Sequence, residues 1–271
     1  RPTVNSQTKA LRLLFIREYL SWRANQHLMQ MRGEKKAELA KEIDAFDNYI
    51  EQRTNTTKNN TLHHNAKGLS DDELQALHEV IDPKSLRNVW KNNKFIRLRN
   101  QLIVELMLCC GIRRGAVLGI NMEDIDAMSG RISILRRPDD PADTREVQTG
   151  NKRTEYLIPL EHRVRLILKA YEVLRHKIVS KTKSKTPYLI ISEYGNPLEQ
   201  SSVNYLVKSL RKIEELKNIH PHFFRHAWAN NYVRLMVKDE GNIDKIEDDL
   251  RTLGGWSEKS DMPARYTRYY R

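Results

Sequence analysis

The sequence predicts a mainly α-helical chain with a small antiparallel β-sheet, an α+β protein in two parts. Three observations carry that expectation. Apolar residues recur at helical spacing in most windows of the 271-residue chain. Two short segments, Arg131–Leu135 and Glu155–Ile158, alternate or cluster apolar residues as strands do. A polar stretch from Arg53 to Gly68, rich in Thr, Asn and His, separates the first helical windows from the rest.

Taken in order, residues 8–30 form an amphipathic pattern with Leu11, Leu14, Phe15, Tyr19 and Trp22 near one face. Residues 34–52 place Ala37, Ala40, Ile43, Phe46 and Ile50 at helical spacing. Ser70 followed by Glu73 is a capping box that opens a new helical unit. The expected organisation is therefore a helical domain over 1–60, a linker over 61–69 and a larger domain over 70–271. Within the larger part, Phe95–Cys110 is a long apolar helix ended by Gly111. Ser129–Gly130 turns the chain into the first strand, and a polar segment with two prolines, Arg136–Lys152, joins it to the second. Tyr188–Ile191 is expected as a further short strand. Helical patterns occupy about 161–180, 200–217, 222–238 and 243–253, and no internal repeat is visible.

The formal charge of +12 and pI near 9.6 point to a polyanionic partner. Residues 1–70 hold twelve basic against seven acidic side chains, and the remainder thirty-five against twenty-eight, so both parts are positive. Such surfaces gain affinity for DNA by releasing condensed counterions. No apolar run reaches the roughly 20 residues that span a bilayer, so no membrane partner is expected. No signal peptide is visible. Cys109 and Cys110 lie side by side in an apolar run and are expected to be reduced core residues of a cytoplasmic protein. The chain opens on Arg1 rather than Met, as expected of a fragment.

Breaking a DNA phosphodiester without metal requires a nucleophile, donors for the non-bridging oxygens and an acid for the leaving oxygen. Arginine suits the second task, because its planar fork makes two parallel charge-assisted bonds. Three segments hold the needed residue types. In Cys110-Gly-Ile-Arg-Arg-Gly-Ala-Val-Leu-Gly-Ile, Arg113 starts a helical turn after a glycine; the plain alternative is a salt bridge at a helix junction. In His220-Pro-His-Phe-Phe-Arg-His-Ala-Trp-Ala, His222 and Arg225 are three apart and share a helix face. His222 and His226 have a metal-pair spacing, but no carboxylate or cysteine is near them in sequence, so His226 is read as structural. The last segment, Leu253 to Arg271, holds three tyrosines among basic residues, Tyr266, Tyr269 and Tyr270.

On these segments the chain resembles the tyrosine recombinases of the phage-integrase family. "GIRRGAVLGINMEDID" is similar to the family's first arginine box, "HPHFFRHAWA" to its His-x-x-Arg box, and "LGGWSEKSDMPARYTRYY" to the box holding the nucleophile. The resemblance covers roughly 70–271 as a catalytic domain, and the helices before it resemble the end of a DNA-clamping, core-binding domain. It implies Arg113 and Arg225 as phosphate clamps, His222 as an aid to proton transfer to or from the tyrosine and Trp256 as a phosphate contact. It further implies Tyr266 as nucleophile and Lys152, before the strand Tyr156-Leu-Ile-Pro-Leu160, as the acid. The implied reaction cuts and rejoins double-stranded DNA at specific sites through a 3′-phosphotyrosine, with no metal, ATP or other cofactor, in a homotetramer assembled on DNA. A mobile-element integrase is the expected setting.

Two positions depart from the family pattern. Ala116 stands where an acid is usual, and Gly255 where many members carry histidine. The first keeps open a catalytically impaired DNA-binding member. A type IB topoisomerase, which shares the chemistry, also stays open.

Overall fold

The computed structural model describes residues 6–54, 68–90, 92–148, 155–239 and 241–270. The chain divides into two units, Arg1–His64 and Asn65–Arg271. The first holds a helix pair, α1 (Ser6–Gln30) and α2 (Glu34–Thr54), with the Ser21 hydroxyl donating to Asp47 Oδ1 at 2.7 Å. The side of α1 that α2 covers is not the stripe expected from the sequence. Ala10 is buried and Leu13, Leu14, Ser21, Ala24 and Leu28 are half-buried, whereas Leu11, Phe15, Tyr19 and Trp22 are exposed. Small residues at 10, 21 and 24 let the helices approach closely, and that outweighs the larger apolar area of the aromatic stripe.

The second unit begins at α3 (Asp71–Ile81), where Ser70 Oγ accepts from the Glu73 amide and Glu73 reaches back to the Ser70 amide. Both bonds satisfy first-turn donors that would otherwise stay open. The core is built on α4 (Lys94–Leu108), whose Leu102, Ile103, Leu106 and Met107 have no solvent exposure. Around it lie α3, α6 (His162–Thr182), α7 (Gln200–Leu210) and α8 (Pro221–Asp239). Three short strands, β1 (Ile125–Asp126), β2 (Arg131–Ile134) and β3 (Tyr156–Pro159), form an antiparallel meander. Ile132 pairs with Ile158, and both point into the core with Ile134. A second, smaller apolar cluster joins α8, α9 (Ile243–Leu253) and α10 (Met262–Thr267), with α5 (Arg114–Leu118) a single turn elsewhere in the unit.

Two expected elements differ. Tyr188–Ile191 makes only isolated bridges and joins no sheet, because side chains take its carbonyls: Arg175 donates to those of Tyr188 and Leu189, and Tyr171 Oη donates to Leu189. The pattern over 200–217 breaks after Leu210 into i→i+3 turns, with the Ser209 hydroxyl held between Leu206 and the Trp90 indole. The described part of the polar segment after β2 is pinned rather than loose. Arg145 is buried against Asp143, donates to the Leu118 carbonyl and lies 4.4 Å over the Tyr188 ring. Among the described residues, no helix is long and apolar enough to cross a membrane.

Candidate active site

Arg113 sits at the N-cap of α5 with an extended backbone, just after Gly111 ends α4. Gly111 has φ +62°, and a Cβ there would lie 2.3 Å from the Trp228 ring, so only glycine lets the chain turn in this space. The turn aims the Gly111 carbonyl at Arg225 of α8, whose Nη1 donates to it at 2.6 Å. The other Nη of Arg225 donates to the Gly254 carbonyl, beyond α9. Arg113 in turn donates to the Gly255 carbonyl at 3.3 and 3.4 Å. Three backbone carbonyls from two glycine turns thus orient two guanidiniums. Burial, and then the charge of Arg113, pushes the Arg225 pKa down to about 10, so the pair holds concentrated positive charge suited to an anion.

Gly255 explains one departure from the family pattern. Its φ is +57°, and a Cβ would lie 2.4 Å from the Tyr156 ring. A histidine there would be strained and would collide with β3. Trp256 follows, buried, with its ring 4.0 Å from the Arg225 guanidinium carbon. The indole face therefore holds the plane of the arginine through a cation–π contact. Tyr156 presents a buried hydroxyl beside the same two arginines, a neighbour the sequence reading did not single out. Ala116 is buried in the core.

Tyr266 lies on α10 and is 4% exposed, while Tyr269 and Tyr270 are exposed. Its ring centroid is 5.9 Å from that of Trp256. Burial pushes its pKa up to about 12, against the pull of Arg225, Arg265 and Arg113. Its hydroxyl is 2.7 Å from His226 Nδ1. The sequence reading left His226 as a structural residue; a contact forty positions away along the chain has no local signal. His222 is exposed on the first turn of α8. Its pKa is lowered by burial of the ring edge and by His220, Arg114, Arg225 and Arg113. The structure thus brings Arg113, Arg225, Trp256 and Tyr266 together, with His222 beside the arginines. Lys152 lies outside the described residues.

The Phage integrase family profile matches residues 67–271, three quarters of the chain, and the chain belongs to that family. Curated relatives include the tyrosine recombinase XerC of Listeria innocua serovar 6a, 27% identical over 161 residues, 59% of this chain and 46% of that protein. XerC of Staphylococcus carnosus is 24% identical over 201 residues, 72% of this chain and 58% of that protein. The chain thus spans about half the length of the curated relatives it matches. Among solved structures, XerH bound to palindromic difH in a post-cleavage complex matches at TM-score 0.54 and 16% identity, covering 94% of this chain and 69% of that one. The Tn1549 transposon integrase in complex with circular intermediate DNA matches at TM-score 0.51 and 15% identity, covering 98% and 91%. These likenesses are of fold.

Proposed function

We propose that the chain is the DNA-cleaving part of a site-specific recombinase that breaks and rejoins strands through a 3′-phosphotyrosine. One observation carries the reading: the buried Arg225 and the half-buried Arg113, oriented by backbone carbonyls, converge with Trp256 on the buried Tyr266, while the competing tyrosines face solvent. Tyr266 attacks phosphorus and displaces the 5′ oxygen. Arg113 and Arg225 neutralise the non-bridging oxygens as charge grows, the kind of preorganised donation that usually dominates catalysis. Lys152 protonates the leaving oxygen, and His222 assists proton transfer to or from the tyrosine. Because the phosphotyrosine conserves the bond energy, rejoining needs no ATP.

The missing acid at Ala116 does not leave the arginines unsupported, since the carbonyls of Gly111, Gly254 and Gly255 orient them. That favours an active enzyme over an impaired family member. Double-stranded DNA as partner is supported by the charge of +12 and by the DNA held in the XerH and Tn1549 complexes. The two helices of the first unit serve as part of a DNA clamp, and the active assembly is a homotetramer on two duplexes inside the cell. A mobile element is the setting most in keeping with the transposon integrase likeness.

The test is covalent capture. The wild-type protein, incubated with random-sequence duplexes nicked to prevent religation, should become linked to a reproducible sequence. Tyr266→Phe should bind that sequence without forming the link. If Tyr269→Phe or Tyr270→Phe abolished it instead, the nucleophile is misassigned; if wild type captured no DNA, the recombinase reading fails. Two-site exchange products would separate recombinase from topoisomerase.

A further inference from the structure

We propose that His226 is a catalytic residue that accepts the proton of Tyr266 during attack on the phosphate, an inference that rests on the recombinase reading. Nδ1 of His226 is 2.7 Å from the Tyr266 hydroxyl, the distance of a made hydrogen bond. His226 directly follows Arg225 on α8, so consecutive residues send a guanidinium toward the carbonyl turns and an imidazole toward the nucleophile. A phenol is a poor nucleophile until a base within hydrogen-bond reach takes its proton. Among the described residues, His226 is the side chain that meets that hydroxyl, and His222, one helical turn earlier, is exposed.

The charges around the pair bear on the protonation of each partner. His226 has His222, His220 and Arg225 as charged neighbours, and burial first, then these groups, lower its pKa and favour the neutral ring. Tyr266 faces Arg225, Arg265 and Arg113, yet its burial holds the phenol protonated at rest. In the proposed pairing the tyrosine donates, Nδ1 accepts, and Nε2 carries the ring hydrogen. On attack, the Tyr266 Oη–phosphorus bond forms and the phosphorus–O5′ bond breaks. The tyrosine proton passes to Nδ1, while the 5′ oxygen takes a proton from a separate donor, Lys152 in the reading above. In rejoining, the 5′ hydroxyl attacks, the phosphotyrosyl bond breaks, and the imidazolium returns its proton to the tyrosine.

Two experiments test this. In free protein with 15N-labelled histidine, long-range proton–nitrogen spectra should show His226 as the Nε2–H tautomer near neutral pH, and Tyr266→Phe should move its Nδ1 resonance. A ring protonated at Nδ1 would overturn the proposal without any DNA. The second uses the duplex captured by the wild type. His226→Ala should form adduct about 100-fold more slowly near neutral pH. Its rate should climb steadily with pH where the wild type levels off, and added imidazole should restore part of it. A substrate with sulfur bridging at the 5′ position, whose leaving group needs no acid, should rescue Lys152→Ala but not His226→Ala. His226→Asn, which keeps a polar contact but cannot shuttle a proton, separates chemistry from folding and should stay slow at unchanged thermal stability near pH 7.5. A wild-type pH profile in His226→Ala, or its rescue by the sulfur substrate, would sink the assignment. Failure of the wild type to capture DNA would instead remove the recombinase reading, leaving the tautomer measurement to decide the pairing.

Discussion

The two halves of the candidate site are held by different means. The arginine half is anchored by main-chain carbonyls at Gly111, Gly254 and Gly255, where α4 and α9 end. The tyrosine half rides on α10, six residues long, in a small cluster of its own. Its side-chain ties include the Trp256 ring contact, the His226 contact and, one residue on from Tyr266, the buried Thr267 hydroxyl on Glu247 of α9. A half built from backbone moves only if the fold moves. A half built from one short helix can open locally at a fraction of the global unfolding free energy. On the proposed reading, in which the nucleophile is engaged only on the right DNA, that asymmetry is useful: the proposed phosphate cradle is preformed while the tyrosine can reposition.

The largest effect should come from breaking the fixed half. Arg225→Ala removes the proposed transition-state donor and leaves the Gly111 and Gly254 carbonyls buried without their partner. Adduct formation should drop at least 100-fold, and the urea midpoint should fall by the equivalent of about 2–4 kcal/mol, one to two for each orphaned carbonyl. Arg225→Lys should recover part of the stability and little of the rate, since an ammonium lacks the fork that spans two carbonyls. If Arg225→Ala unfolded at the wild-type midpoint, the carbonyl anchoring would be incidental and the comparison would lose its first term.

Next comes Gly255→His, which installs the residue common elsewhere in the family. The left-handed backbone and the Tyr156 ring both oppose it, and the combined cost should be about 3 kcal/mol. Because Gly255 carries the carbonyl that faces Arg113, adduct formation should fall as well. The variant sharpens the comparison by damaging the cradle without touching a charged group. A Gly255→His protein as stable and active as wild type would show that this turn is not a constraint.

What the sequence made legible was the set of residue types and their order, because a helix writes its own spacing. His222 and Arg225 announce a shared face, Ser70 and Glu73 announce a cap, and both are seen. Gly111 was readable as a helix end, and its positive φ is that end. What it did with the turn was not readable: that its carbonyl meets an arginine 114 residues later depends on how α8 packs on α4. The His226–Tyr266 contact was hidden for the same reason. The exposed aromatic stripe of α1 shows the converse, where periodicity was plain but the partner chose another side. Tyr188–Ile191 had the composition of a strand, and Arg175 took its carbonyls first.

The releasable half can be probed at Thr267. Thr267→Val keeps the shape of a fully buried side chain and deletes its hydrogen bond to the Glu247 carboxylate. The loss should be about 2 kcal/mol, the usual worth of a hydrogen bond to a charged group. It should appear locally: amide exchange in α10 should quicken while that of Leu102–Met107 in α4 stays at the global rate. Equal acceleration in both helices would mean that α10 does not open separately, and the proposed asymmetry would fail.

The smallest effect expected is of pH. His220, His222 and His226 all have lowered pKa values, chiefly from burial. Their unfolded counterparts titrate near 6.5. As pH falls through that value the unfolded chain takes up protons that the native site still refuses, so the unfolded state binds more protons and stability is lost. The loss ends once the native rings protonate too. The buried Glu105, held below the usual carboxylate range by His78, Arg163 and Cys109 against its own burial, acts in a separate window at lower pH. Thermal midpoints should therefore decline between pH 7.5 and 5.5, modestly, because these rings are partly solvated and screened. His226→Asn should flatten that decline more than an asparagine at exposed His220, since His226 alone is tied to the tyrosine. If the two variants flattened it equally, acid sensitivity would belong to the whole end of α8 and not to the nucleophile's half of the site.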